Sequence, residues 1–334
     1  MKLAAEEKFL MDIFTLSSPI ISGAYDLRSL NWKKITALAE NHWLGFYVFK
    51  AIKSLQLRVN KKILKNIKKL RKKEKSRFLY FQEKLPQVLE ALNKAKINYA
   101  VLKGGFLAFD IYPAGARYLS DLDVIVAKKD KAEAVLALVK EGFKEDKNKS
   151  NKAVTVVADA NGLEVEVAAE LGILKNILPV DELLLHTVKV RLLNKMARVL
   201  NNEYNLLHIC LHASMTHSFY DISKLADINE LLKNKELNMK SLEALAEKKG
   251  VYRAVFLPVQ SCGILWKNKV GLKYNIDAGL AGKLIKRNLE SALKTDYDKR
   301  SAFYGYLIPV LIADSWNLKF SIANDFLKKK VMNG

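Results

Sequence analysis

The sequence predicts an α+β fold. A small mixed sheet of order β-α-β-α-β-β over residues 96–172 lies between a helical N-terminal region (1–95) and a helical C-terminal region (173–334). Three observations predict it. Apolar residues recur at helical spacing in both flanks. Between Ile97 and Val167 that pattern gives way to short β-favouring runs punctuated by glycine. No internal repeat or low-complexity linker breaks the chain.

In the N-terminal region, residues 2–16 carry an apolar stripe at Leu3, Phe9, Leu10 and Ile13, and Ser17-Ser18-Pro19 reads as a turn. Residues 31–55 supply more helix through Ile35, Leu38, Trp43, Phe46, Phe49 and Ile52. From about Val59 to Asn93 one long basic helix is expected, with Pro86 as a point where it kinks or splits.

The core begins with Ile97–Leu102, a strand bounded by Gly104-Gly105. A brief helix over Phe106–Ile111 is closed by Pro113 and Gly115. Leu122–Val126 is a second strand, and Lys131–Glu141 a helix that stops at Gly142. Val154–Ala158 and Leu163–Val167 flank Asp159-Ala-Asn-Gly162 and read as a hairpin with an Asn-Gly turn. After Leu171 the pattern is read as helical to the end, most clearly over 205–217, 221–233, 241–249 and 278–294.

Composition narrows the function. Half the residues are hydrophobic and 27% are charged, which is a globular rather than a disordered balance. Against 35 Asp+Glu stand 56 Lys+Arg, for a net charge of +21. Such a surface attracts anions such as nucleotides, nucleic acids or acidic membranes. A lysine-rich protein whose lysines are simply solvated has the same balance. The ten Lys/Arg of 61–77, with one acid, Glu74, and Phe78, Tyr80 and Phe81 just beyond, fit three readings. They are the wet face of a packed helix, a grip on RNA or another polyanionic acceptor, or a contact with a membrane surface.

Cys210 and Cys262 lie in apolar stretches and share no metal-ligand spacing, so buried thiols are expected. The N-terminus carries acids early and lacks a continuous apolar core, and no apolar stretch approaches membrane-spanning length. A soluble cytoplasmic protein is the expectation.

The chemistry concentrates at Asp121 and Asp123. In a strand, residues two apart share a face. Two carboxylates that close repel, and one takes up a proton unless a cation sits between them. All-oxygen ligation favours Mg²⁺, or Mn²⁺. The turn at Gly104-Gly105 lets backbone N–H groups approach a phosphate, and Lys103 and Arg117 flank it as counter-charges. Glu164 and Glu166 also alternate to one face, and either one supplies the third carboxylate of a two-metal site. Each feature alone has an ordinary reading as a turn, a strand edge or a wet hairpin face. Together they point to phosphoryl chemistry.

Gly104-Gly105 followed by Asp121-Leu-Asp123 resembles the signature of the DNA polymerase β-type nucleotidyltransferase superfamily. Lys103-Gly104-Gly105, Tyr112-Pro113, Arg117 and Ser120-Asp121-Leu-Asp123-Val-Ile-Val resemble more closely one uncharacterised bacterial and archaeal nucleotidyltransferase family. The segment from Leu206 through His208, His212 and His217 to Asp227 is similar to that family's helical region. Where the family often has an acidic-Leu-His-Trp run, this chain has Glu166-Val-Ala-Ala.

The resemblance implies a polymerase-β-like core and metal-dependent transfer of a nucleoside monophosphate from an NTP to an acceptor hydroxyl or other nucleophile. Asp121, Asp123 and Glu166 would be catalytic metal ligands, with Glu164 as substitute for the last. Lys103, Gly104, Gly105 and Arg117 would bind the nucleotide. The superfamily also contains members that kept the fold without catalysis. The rival expectation is therefore a silent nucleic-acid-binding or regulatory protein, or one component of a toxin–antitoxin pair. His208 and His212, four residues apart, have the spacing of a zinc pair. The alternatives are histidines packed between helices, or His212 or His217 lining a nucleotide cleft.

Overall fold

In the computed structural model of the chain, the described residues are 4–14, 27, 29–266, 279–293 and 302–332. The expected turn at Ser17-Ser18-Pro19 lies outside them, as do the outer ends of the helices expected over 2–16 and 278–294. In chain order, α1 (Ala5–Ile13), α2 (Trp32–His42), α3 (Gly45–Ser54) and α4 (Lys61–Lys94) lead into β1 (Tyr99–Val101), α5 (Gly104–Asp110) and β2 (Asp121–Val126). Next come α6 (Lys131–Lys140), β3 (Lys144–Glu145), β4 (Val154–Ala158), β5 (Glu164–Ala168), α7 (Val180–Leu185), β6 (Thr187–Leu192) and β7 (Lys195–Leu200). Helices α8 (Asn202–Leu211), α9 (Ile222–Leu231), α10 (Met239–Lys248), α11 (Tyr252–Trp266), α12 (Gly279–Ala292), α13 (Ala302–Ile312) and α14 (Trp316–Met332) follow.

The chain forms two compact units, residues 73–205 and residues 1–72 with 206–334. The boundary falls within α4, which Pro86 does not end.

The first unit holds a seven-stranded mixed sheet of order β3-β4-β5-β2-β1-β7-β6. The α+β expectation is met, and the sheet is larger than the sequence suggests. β1 runs antiparallel to β2, pairing Val101 with Val124, and Leu102 N–H extends the ladder to Asp123 O at 3.0 Å. β2 runs parallel to β5. Leu122, Val124, Ile125, Val126, Val165 and Val167 are fully buried, so β2 enters the core at its C-terminal half and leaves it where Asp121 and Asp123 begin. The β4–β5 hairpin forms, with its positive φ at Gly162 (+78°) rather than Asn161. Gly162 N–H donates to Asp159 O (3.1 Å), and Asp159 Oδ1 accepts from the N–H groups of Asn161 and Leu163. That is a turn closed by a bulge glycine.

The helical reading after Leu171 requires correction, because β6 and β7 form a hairpin there. Thr-Val-Lys-Val-Arg-Leu alternates as a strand should. Its turn, Leu193-Asn194, takes positive φ at both positions (46° and 63°), the geometry of a tight primed turn. Leucine is a poor turn residue, so the usual punctuation is missing. Packing decides the outcome: β7 pairs with β1 and buries Ala197, Val199 and Leu200.

The second unit is helical. Asp221 caps α9 by accepting from Ser223 N–H (2.9 Å), and Asn238 caps α10 by accepting from Ser241 N–H (3.1 Å). Trp266 Nε1 donates to Met11 O (2.8 Å), tying α11 to α1. Cys210 and Cys262 are buried free thiols, as expected. Among the described residues no helix is long and apolar enough to cross a membrane.

Candidate active site at the head of strand β2

The parallel register of β2 and β5 pairs Asp121 with Glu164, and Asp123 with Glu166. Strand alternation therefore sets all four carboxylates on one face of the sheet while Leu122 and Val165 point into the core. Lys103, the residue before α5, lies beside them: its Nζ is 2.6 Å from Asp123 Oδ1. Both side chains are largely covered, at 18% and 14% exposure. Burial opposes the Lys103 charge, but Asp123, with Asp121 and Glu166 behind it, outweighs burial and raises its pKa above the ordinary 10.5. Lys103 is thus a fixed cation among the acids.

The two glutamates differ. Glu164 is held by the ammonium of Lys149. Burial raises the pKa of Glu166 above the ordinary 4.5, and the charges of Asp123 and Asp121 push it the same way against the pull of Lys103. Glu166 therefore faces a surplus of negative charge that a cation would relieve. The all-oxygen donor set fits Mg²⁺ or Mn²⁺ in kind. Among the described residues, however, no three His, Cys, Asp or Glu side chains are already gathered as an ion-holding group. The ammonium of Lys103 takes up Asp123, and that of Lys149 takes up Glu164.

The glycines, expected to form a turn, are the first two residues of α5, and they explain how that helix comes so close to the strand. A Cβ on Gly105 would lie 2.8 Å from Val101 Cγ1 and overlap Leu122 Cδ1, so glycine is what lets α5 seat on the sheet. A Cβ on Gly104 would meet only the tip of Leu119, at 2.9 Å. Lys103 has φ 49° and ψ −128°, a backbone region that side chains disfavour.

Ser120 Oγ donates to Asp121 Oδ1 (2.9 Å). Arg117 lies in the loop after α5, where its Nη1 donates to Tyr118 O (2.8 Å).

Arg77, within the basic run of α4, has a role that the sequence did not reveal. Its guanidinium donates to the carbonyls of Leu119 (3.2 Å), Ser120 (2.5 Å) and Gly162 (3.2 Å). It pins the approach to β2 onto the β4–β5 turn. Tyr80 adds a hydrogen bond to Asp159 in that turn. The eight lysines of 61–77 are exposed along α4 while Ile67, Leu70 and Glu74 are buried.

The three histidines belong to the helical unit. His208 is buried on α8, and the chain continues through a wider π-type turn that closes with His217 N–H on His212 O (3.0 Å). Ring centroids are 5.9 Å apart for His208 and His212 and 4.5 Å for His212 and His217. Neither these rings nor any other described His, Cys, Asp or Glu form a group of three able to hold a metal.

A family model described as uncharacterised nucleotidyltransferase matches residues 28–266. Among solved structures, the chain is similar to an antigenic nucleotidyltransferase-like protein from Paracoccidioides brasiliensis. Identity is 13% and the TM-score 0.36, over 56% of this chain and 97% of that one. Comparison with curated proteins finds no match.

Proposed function

Because the chain belongs to the uncharacterised nucleotidyltransferase family, we propose that it transfers a nucleoside monophosphate from an NTP to an acceptor nucleophile at the head of β2. The acceptor oxygen forms a bond to the α-phosphorus, the bond from that phosphorus to the bridging oxygen breaks, and pyrophosphate leaves. The observation that carries this reading is the β2–β5 register, which aligns Asp121, Asp123 and Glu166 beside the half-buried Lys103.

In this reading Asp121, Asp123 and Glu166 hold divalent cations, Mg²⁺ or Mn²⁺. Bound there, the cations supply charge neutralisation and activation of the attacking oxygen. Glu166 is preferred over Glu164 because Lys149 already engages Glu164. Gly104 and Gly105 let the start of α5 seat closely on the sheet, beside the place proposed for the triphosphate. Lys103 stays protonated and turns its charge to the phosphates, and Arg117 adds a second cation. The exposed lysines of 61–77 suit a polyanionic acceptor such as RNA.

One observation favours a second reading, a binding protein without catalysis: Lys103 already occupies Asp123. Incubation with α-labelled NTP, Mg²⁺ and candidate acceptors separates the two. Label on an RNA, protein or small molecule that is lost with Asp121→Asn supports transfer. RNA binding that survives EDTA and Asp121→Asn, with no label transferred, supports the second reading.

A further inference from the structure

A cavity of about 320 Å³ opens where the end of α4 meets the β6–β7 hairpin, and Lys96, Lys189 and Arg198 supply its charged lining. Asn93 is its other polar wall, Ile97 and Met196 line its apolar part, and it contains no acid. Its volume falls at the lower end of the range of small-ligand pockets.

Two of the cations oppose each other directly. Lys189 and Arg198 are register partners across the antiparallel β6–β7 pair, so their side chains share a face. Like charges in that position destabilise a sheet. Among the described residues none of Lys96, Lys189 and Arg198 has an ion-pair partner. The neighbouring acid is already engaged: Glu90 pairs with Lys94 at 2.9 Å and Lys195 at 2.7 Å, which hold its carboxyl down to about 2.

The wall is fixed independently of the charges. Asn93 Nδ2 donates to Met196 O (2.8 Å), and the buried Tyr99 donates its hydroxyl proton to Asn93 Oδ1 (3.2 Å), locking the end of α4 to β7.

We propose that this cavity is a second anion site, built to take a phosphate group between Lys189, Arg198 and Lys96. It is separate from the carboxylates. Lys96 and Ile97 precede β1 and Lys103 follows it, so the two sites lie at opposite ends of that strand, roughly 20 Å apart at the rise of an extended chain. The site stands whether or not the chain transfers nucleotides. Its phosphate comes from a free polyphosphate or from the backbone of a bound RNA.

The test is calorimetry with inorganic triphosphate and, separately, with a short single-stranded RNA, in EDTA at low salt. The proteins are wild type, Lys189→Gln/Arg198→Gln, and Lys240→Gln/Lys248→Gln, which removes two exposed charges from α10. The cavity variant is expected to lose affinity for triphosphate by about tenfold or more, the α10 variant by less than about twofold. RNA affinity that falls in parallel identifies the phosphodiester source; RNA affinity that does not fall identifies the free polyphosphate. Removing opposed like charges should leave the thermal midpoint of the cavity variant unchanged or higher, which separates lost binding from lost folding. Equal losses in both variants, or no loss in the cavity variant, would overturn the proposal.

Discussion

Lys103 Nζ lies 2.6 Å from Asp123 Oδ1, and the residue that delivers this ammonium does so from a backbone conformation of φ 49° and ψ −128°. An ion pair within the row of aligned carboxylates is thus held at some conformational expense. Lys103→Gly and Lys103→Ala both delete the pair, but only glycine relaxes the backbone. Urea unfolding should find the glycine variant more stable than the alanine variant by about 1 kcal/mol. Both should bind a non-hydrolysable NTP analogue with Mg²⁺ more weakly than wild type.

Gly105→Ala places a methyl group between α5 and the sheet, against Val101 and Leu122. Overpacking of this kind costs about 1–3 kcal/mol in unfolding free energy. Gly104→Ala meets one flexible leucine tip and should cost less. Equal stabilities for the two variants would contradict the packing account.

Glu166 makes stability depend on pH. Its folded pKa is raised, so the folded state holds this proton more tightly than the unfolded chain. As pH rises above the ordinary 4.5 the unfolded chain releases the proton first, and stability falls until the folded group ionises too. Below 4.5 both states are protonated and the penalty vanishes. In EDTA, Glu166→Gln should therefore raise the thermal midpoint at neutral pH, with a gain that fades toward pH 4. Midpoints that differ equally at both pH values would point to another cause.

How much of this was legible in the chain depended on the kind of signal. Asp121 and Asp123 at the head of an apolar run declare a common face through strand alternation alone. The same alternation cannot choose between Glu164 and Glu166; they are distinguished by Lys149, which sits in a loop 15 residues before the Glu164 it holds. The β6–β7 hairpin was hidden by a Leu193-Asn194 turn in which packing overrides local preference. Arg77 looked like one more cation in a basic run, because carbonyls brought to it from 42, 43 and 85 residues away leave no local trace.

Arg77→Ala should cost about 2 kcal/mol or more, since it leaves three carbonyls without their charged donor, and Arg77→Lys should recover only part because it lacks the planar fork. Lys75→Ala, on the exposed face of α4, should change stability by less than about 0.5 kcal/mol. Chemical denaturation of the three variants checks both statements. Equal effects at 75 and 77 would mean that Arg77 is only another solvated charge.

The central claim is that Asp121 and Asp123 make a metal-dependent nucleotide site. Calorimetric titration of a non-hydrolysable NTP analogue into wild type and Asp121→Asn/Asp123→Asn, each with and without Mg²⁺, tests it most directly. The account predicts a Mg²⁺-dependent component of binding in the wild type that disappears in the variant while the fold survives. Identical titrations for the two proteins, or no Mg²⁺-dependent binding in either, would contradict it.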